Sequence, residues 1–262
     1  MSITWGARLG LACLAGVVNL CEFGLGSCYG LSAKLQGSQA EAVRVPAADM
    51  NAVAVPEGIS MEQALMMTDA LATAWYGARN ADIHPGSSVA VMGLGPIGLM
   101  AVDSAFVMGA HVVYAIDQIP ERRALAEAAG AIALHPDEAM ERIKQDTKGR
   151  KLDSVIEVVG SDATVDFALR LVRPRGTVSV IGVQQSRRFP FPLERAFAAG
   201  LTFRAGTCSV PEELPALFPL VGLGIGAAVA GVNWAASLAM PPLPSAGIAV
   251  LAGAVLTGAV HL

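Results

Sequence analysis

Between Ser88 and Arg204 the chain alternates short, nearly continuous apolar runs with longer segments whose apolar residues recur every three or four positions. The runs Ser88–Met92, Val112–Ile116, Ala131–Leu134, Ser154–Val158, Thr177–Ile181 and Leu201–Arg204 predict strands. Pro96–Met108, Glu121–Ala129, Glu138–Thr147, Ala163–Val172 and Leu193–Ala199 predict the helices between them. Strands of Val, Ile and Ala without polar alternation are buried on both faces, which calls for a parallel sheet covered by helices on either side. The expected fold class is α/β, a doubly wound parallel sheet of six strands. Its crossovers are right-handed, and its ligand crevice lies beyond the strand C-termini.

Upstream, Met61–Arg79 reads as one helix entering this unit. Gln39–Val55 reads as extended, its apolar/polar alternation broken by prolines, and suits a small N-terminal β element. At the other end, no Asp, Glu, Lys or Arg occurs from Pro215 to Leu262. This apolar tail has two readings. One is a membrane hairpin, whose first stretch approaches the roughly 20 residues a span needs while its second is short. The other is out-of-frame translation, which suits the abrupt loss of every charge better. The membrane reading also lacks flanking Lys or Arg to set an orientation.

The chemistry concentrates in VAVMGLGPIGLM, Val89–Met100, where Gly93, Gly95 and Gly98 form G-x-G-x-x-G between a strand pattern and a helix pattern. In such a unit the first glycine makes the tight turn and the second admits a pyrophosphate. The third lets helix and strand pack closely. Pro96 falls at the first helical position, where a missing N–H costs nothing. Ile97 and Gly98 follow it, at the helix start that faces the diphosphate. Asp117, at the end of HVVYAID, is placed to accept the adenosine ribose hydroxyls and to repel a 2′-phosphate. Arg122 and Arg123 read as part of the next helix. The expectation is a dinucleotide site that takes NAD rather than NADP.

A chain of 262 residues with 53% apolar content and a net charge of −4 is globular and carries no bias toward nucleic acid. Its four cysteines, Cys13, Cys21, Cys28 and Cys208, form no disulfide framework and suit a reducing compartment. Arg8 followed by LGLACLAGVVNL has the outline of a signal peptide, but Gly10 and Leu11 fit a cleavage site poorly. The location expected is cytoplasmic.

With these motifs in view, Gly86–Gly206 resembles the nucleotide-binding domain of the zinc-type medium-chain alcohol dehydrogenases. LQGSQAEAVRVP matches the family's G-x-x-A-E-x-x-x-V-P pattern. TDALATAWYGA (Thr68–Ala78), SVIEVVG (Ser154–Gly160) and RPRGTVSVIGV follow in the family's order. About residues 13–221 read as one stretch of such an enzyme. The resemblance implies a Rossmann fold and hydride transfer between a small alcohol or aldehyde and NAD. It also implies a zinc ion acting as Lewis acid, and homo-oligomers paired through the sheet edge. It places Asp69 at a catalytic zinc ligand position and Thr73 beside the nicotinamide.

The same comparison exposes departures. The family's Cys and His-Glu zinc ligands belong upstream of Gln39 and are absent, and His84, His111, His135 and His261 read as edge or surface residues. Of the structural zinc pattern C-x-x-C-x-x-C-x(7)-C, only Cys13 and Cys21 match, with Ala7 and Gly10 in the first two places. The chain is expected to be a truncated member. Residues 1–60 would be a remnant of the GroES-like catalytic domain, 61–221 the NAD-binding domain, and 222–262 the atypical tail. Two functions follow: an NAD-dependent alcohol dehydrogenase, or a catalytically incomplete NAD-binding remnant, with a membrane-tethered binding module as a minor third. Glu157 reads either as a cofactor neighbour or as a paired strand acid, Cys208 as a buried small thiol rather than a contact on the nicotinamide side, and Arg187 and Arg188 as a solvated loop pair rather than a flank of the phosphate or substrate edge.

Overall fold

The six apolar runs become six parallel strands, β1 Ser88–Met92, β2 Val112–Ile116, β3 Ile132–Leu134, β4 Leu152–Glu157, β5 Val172–Val180 and β6 Thr202–Ala205, in one sheet of order β3-β2-β1-β4-β5-β6. The computed structural model describes residues 11–14, 17–21, 28–30, 35–46, 48–184, 186–218 and 220. The helices are α1 Leu11–Leu14, α2 Ala48–Asn51, α3 Met61–Met67, α4 Ala70–Asn80, α5 Pro96–Val107, α6 Pro120–Ala128, α7 Pro136–Asp146, α8 Asp162–Leu171 and α9 Leu193–Ala199. Chain order reverses between β1 and β4, so a switch point lies beyond their C-terminal ends. Residues Ala70–Cys208 form one compact unit, and the described parts of 1–69 and 209–262 belong to a second.

Alternate residues of each strand feed two cores, which is why the strands read as unbroken apolar runs. Val89, Val91, Val113, Ala115 and Ile156 pack with Ala74 and Ala78 of α4 and with Ala101, Val102 and Ala105 of α5. Ala90, Met92, Tyr114, Ile116, Val155 and Val178 face the other way, onto Ala139 and Ile143 of α7 and Val165 and Leu169 of α8. Each buried Val, Leu or Ile contributes about 1.5–3 kcal/mol, so the sheet needs no polar face.

Three expectations need correction. The helix foreseen over Met61–Arg79 is two helices, broken at Thr68 and Asp69. The Thr68 hydroxyl donates to the Leu65 carbonyl at 2.7 Å, and its N–H bonds the same oxygen at 3.2 Å, which closes the helix. The segment Gln39–Val55 contains no strand among the described residues. It is irregular, with one helical turn at Ala48–Asn51, and only isolated bridge residues occur at 28 and 35. A strand needs a neighbour to take its N–H and C=O groups, and the described residues around it supply none. Finally, β5 begins at Val172 rather than Thr177, because Val172 pairs with Leu152 across a bulge of residues 173–176. The bulge lets Arg173 Nε donate to Asp153 Oδ1 at 2.7 Å, while Asp153 Oδ2 accepts from the Ser88 N–H and hydroxyl at 2.8 and 2.7 Å. Three strand beginnings are thereby tied together.

No helix among the described residues is long and apolar enough to cross a membrane. Both readings of the tail at 222–262 fall outside the described residues.

Candidate functional site

A cavity of about 780 Å³ opens at the C-terminal ends of β1, β2 and β4, where the chain order reverses. Its floor is the glycine turn. Gly93 has φ of +90°, and a Cβ there would lie 2.6 Å from Cγ2 of Val159, so both conformation and space require glycine. A Cβ on Gly98 would run into the Gly93 carbonyl, which fixes the close approach of α5 to β1. Gly95 differs. Its φ is −67°, and a Cβ would meet no heavy atom within 4 Å, yet the residue lines the cavity. That open space suits the close passage of a ligand. Pro96 occupies the first turn of α5, and Ile97 and Gly98 follow at the cavity wall. A helix start leaves such N–H groups without intrahelical acceptors and places a positive dipole end there.

Two buried carboxylates flank this turn, one on each neighbouring strand. Asp117, 9% exposed, follows β2 and accepts from the Leu94 N–H at 2.7 Å through Oδ2 and from the Ile119 N–H at 2.8 Å through Oδ1. It therefore clasps the glycine turn and its own loop together, with a side chain that also lines the cavity. Arg122 lies in α6 as expected, but its guanidinium returns to within 3.6 Å of Asp117 Oδ2. Arg123 instead donates to the carbonyls of Asp117 and Gln118 at 2.9 and 2.8 Å. Glu157, fully buried at the end of β4, is the second clasp. Its Oε1 accepts from the Val159 and Gly160 N–H groups, both at 2.9 Å, and from the Thr164 hydroxyl at 2.7 Å. The reading of Glu157 as a paired strand acid is the one realised, and Glu157 does not line the cavity.

The remaining candidates lie elsewhere. Thr73 is half-buried in α4 and does not line the cavity. Asp69 is half-buried where α3 gives way to α4. Burial and, second, the charge of the Asp69 carboxylate push the Cys28 thiol up. Cys21 is buried, while the side chain of Cys13 lies outside those described. Among the described residues no three His, Cys, Asp or Glu side chains gather to hold a metal ion. A catalytic zinc needs three protein ligands and an open position, and the described residues do not fit one. His135 caps α7, His84 pairs with Asp82 at 3.7 Å and His111 is exposed. Arg187 and Arg188 lie exposed on the loop after β5, and Cys208 is half-buried.

Sequence reasoning missed part of the wall. Pro136, Asp137, Phe167 and Arg170 also line the cavity, brought there from α7 and α8 by the strand order. The available signal was the spacing of Ala163, Phe167 and Arg170, one stripe of α8.

A sequence model of the zinc-binding dehydrogenases matches residues 96–222. A probable zinc-binding alcohol dehydrogenase of Mycobacterium tuberculosis is 46% identical over 190 residues, covering 72% of this chain and 49% of that protein. The alcohol dehydrogenase of Thermus sp. ATN1 superposes with a TM-score of 0.81 at 38% identity, over 85% of this chain and 66% of that one. The chain belongs to the zinc-type medium-chain alcohol dehydrogenase family. An alcohol dehydrogenase of Cupriavidus necator is 40% identical over 170 residues, covering 64% of this chain and 46% of that family member. The chain spans about half the length of these curated relatives. A second sequence model, for cobalamin-5-phosphate synthase, matches residues 188–262 and so takes in the uncharged tail.

Proposed function

We propose that the chain is an NAD-dependent oxidoreductase acting on the hydroxyl-bearing carbon of a small alcohol, or in reverse on an aldehyde. The observation that carries this reading is the glycine turn, with open space at Gly95 and the Asp117 carboxylate beside it. A bound dinucleotide would supply the hydride acceptor, taking a hydride from the alcohol carbon while the hydroxyl proton is released. The N–H groups of Ile97 and Gly98 and the α5 dipole hold the diphosphate, worth roughly 0.3–2 kcal/mol. Each carboxylate oxygen of Asp117 accepts a backbone N–H and keeps a further lone pair for a ribose hydroxyl. Charge-assisted bonds of this kind contribute about 1.5–3 kcal/mol. The same carboxylate repels a 2′-phosphate and so favours NAD over NADP.

By family correspondence Thr73 lies beside the nicotinamide and Asp69 at a zinc ligand position. The donors among the described residues do not make a zinc site. Cytoplasmic residence and homo-oligomerisation through the β6 edge belong to the same proposal.

A second reading, a catalytically incomplete NAD-binding remnant, is favoured because among the described residues no three His, Cys, Asp or Glu side chains gather as metal ligands. One experiment separates the two. The purified chain is given NAD and a panel of primary and secondary alcohols, with and without added zinc, and NADH formation is followed by absorbance. Turnover supports the enzyme. NADH binding without turnover under any zinc condition supports the remnant.

A further inference from the structure

Two chain segments are built around Glu157, which is fully buried at the end of β4. Its Oε1 holds the segment after β4, accepting from the N–H groups of Val159 and Gly160 and from the Thr164 hydroxyl. Its main-chain carbonyl holds the segment after β5, accepting from the N–H of Ile181 at 2.9 Å and of Gly182 at 3.1 Å. The second carboxylate oxygen, Oε2, is buried with no hydrogen-bond partner. A buried acceptor left unpaired costs stability, so pairing explains only half of this carboxylate. Oε2 faces Gly182, where a Cβ would lie 2.8 Å from it and would also press on the Gly160 N. A Cβ on Gly160 would in turn run into the Val183 carbonyl. Segments 158–160 and 181–183 thus meet through two bare α-carbons, with Oε2 as the surface beneath Gly182.

The segment after β5 also reaches α4. A Cβ on Gly77 would lie 2.7 Å from Ile181 Cδ1, so Ile181 packs directly on that helix, one turn from Thr73. A dinucleotide at a switch point lays its two nucleotides over opposite sides of the glycine turn. Asp117 takes the adenosine ribose on the β2 side, and β5 lies on the opposite side of β1, beyond β4. We propose that Glu157 is a positioning residue for the nicotinamide end of the dinucleotide. The bonds to Oε1 lock the carboxyl plane, and the carbonyl and Oε2 set where residues 181–183 stand. This rests on the nucleotide reading of the cavity. Glu157 touches no ligand itself and acts through the backbone of Gly182.

The test is calorimetric titration of the full chain with NADH and with ADP-ribose, which lacks the nicotinamide. The ratio of the two dissociation constants reads the nicotinamide end alone, and the natural protein is expected to bind NADH more tightly. Glu157→Gln keeps the shape but places an amide NH2 either beneath Gly182, where no acceptor waits, or against the Gly160 N–H. It is expected to weaken NADH about three- to tenfold, the equivalent of one hydrogen bond, with ADP-ribose within about twofold of its natural value. Gly182→Ala moves the same segment from the other side with the Glu157 side chain intact, and should show the same selective loss. Unliganded melting temperatures, measured alongside, identify a variant whose fold has changed, and the other variant then decides. An equal loss of both ligands, or no loss of either, makes Glu157 a structural residue only and overturns the proposal. So does a natural protein that binds ADP-ribose as tightly as NADH, which leaves the nucleotide site standing. Failure of the natural protein to bind either ligand overturns the nucleotide reading itself.

Discussion

Two alanine substitutions three residues apart should have opposite effects. At Gly98 an added Cβ would press on the Gly93 carbonyl and lie 2.8 Å from its carbon, an obstacle of backbone rather than of a flexible side chain. Overpacking of this kind costs about 1–3 kcal/mol, and the upper end applies because the backbone must move. Replacing a helical glycine by alanine returns about 1 kcal/mol of helix propensity. The net expectation for Gly98→Ala is a loss of about 2 kcal/mol. For a unit of this size that lowers the melting temperature by roughly 4–8 °C. At Gly95 the φ of −67° suits alanine and nothing lies within 4 Å of the new Cβ. The reduced freedom of the unfolded chain favours alanine by about 0.4–1 kcal/mol, and a poorer helix cap offsets a similar amount. Gly95→Ala should therefore melt near the natural temperature and yet bind NADH at least tenfold more weakly, because its methyl occupies the passage for the diphosphate. Melting by circular dichroism and titration by NADH fluorescence read the two effects separately. Natural NADH affinity in Gly95→Ala refutes the assignment of that space to the ligand.

Asp117→Ser should weaken NADH binding about tenfold to a hundredfold and reduce its preference over NADPH; an unchanged preference in a binding titration would remove Asp117 from cofactor selection. Glu157→Ala leaves the N–H groups of Val159 and Gly160 without their acceptor, and should cost about 3 kcal/mol in urea unfolding; a loss well below that value would contradict the clasp. The bonds from Ser88 and Arg173 hold the Asp153 carboxyl below its usual range against the opposing effect of burial. A depressed folded value means its contribution is present above the unfolded value of about pH 3.9 and disappears as pH falls through the folded one. With the side chain about one-third exposed, Asp153→Asn should cost about 1 kcal/mol near neutrality after allowance for solvent screening. That difference should narrow below about pH 4; a constant difference in melting temperature across that range would contradict the assignment.

β1 and β2 were legible to the residue because each is a β-branched run closed by a strong local marker, Gly93 in one case and Asp117 in the other. The break at Thr68 was hidden, since a threonine in an otherwise helical pattern reveals nothing of where its hydroxyl bonds. The early start of β5 was hidden for a different reason, as it depends on pairing with Leu152 and on Arg173 reaching Asp153. Such pairing is long-range and leaves no periodicity. At the site, spacing alone located the glycine turn and Asp117. It did not show that Asp117 clasps the turn through Leu94, nor that α8 would carry Phe167 and Arg170 into the same cavity. Those contacts exist only once β2 and β4 are seated on either side of β1.

The central claim is that the turn from Gly93 to Gly98 and the carboxylate of Asp117 hold NAD. Fluorescence titration of the full chain with NADH and NADPH tests it most directly. Saturable enhancement with NADH, and binding of NADPH at least about tenfold weaker, is the outcome expected from the charge of Asp117. Absence of binding to either dinucleotide, or equal affinity for both, would contradict the account.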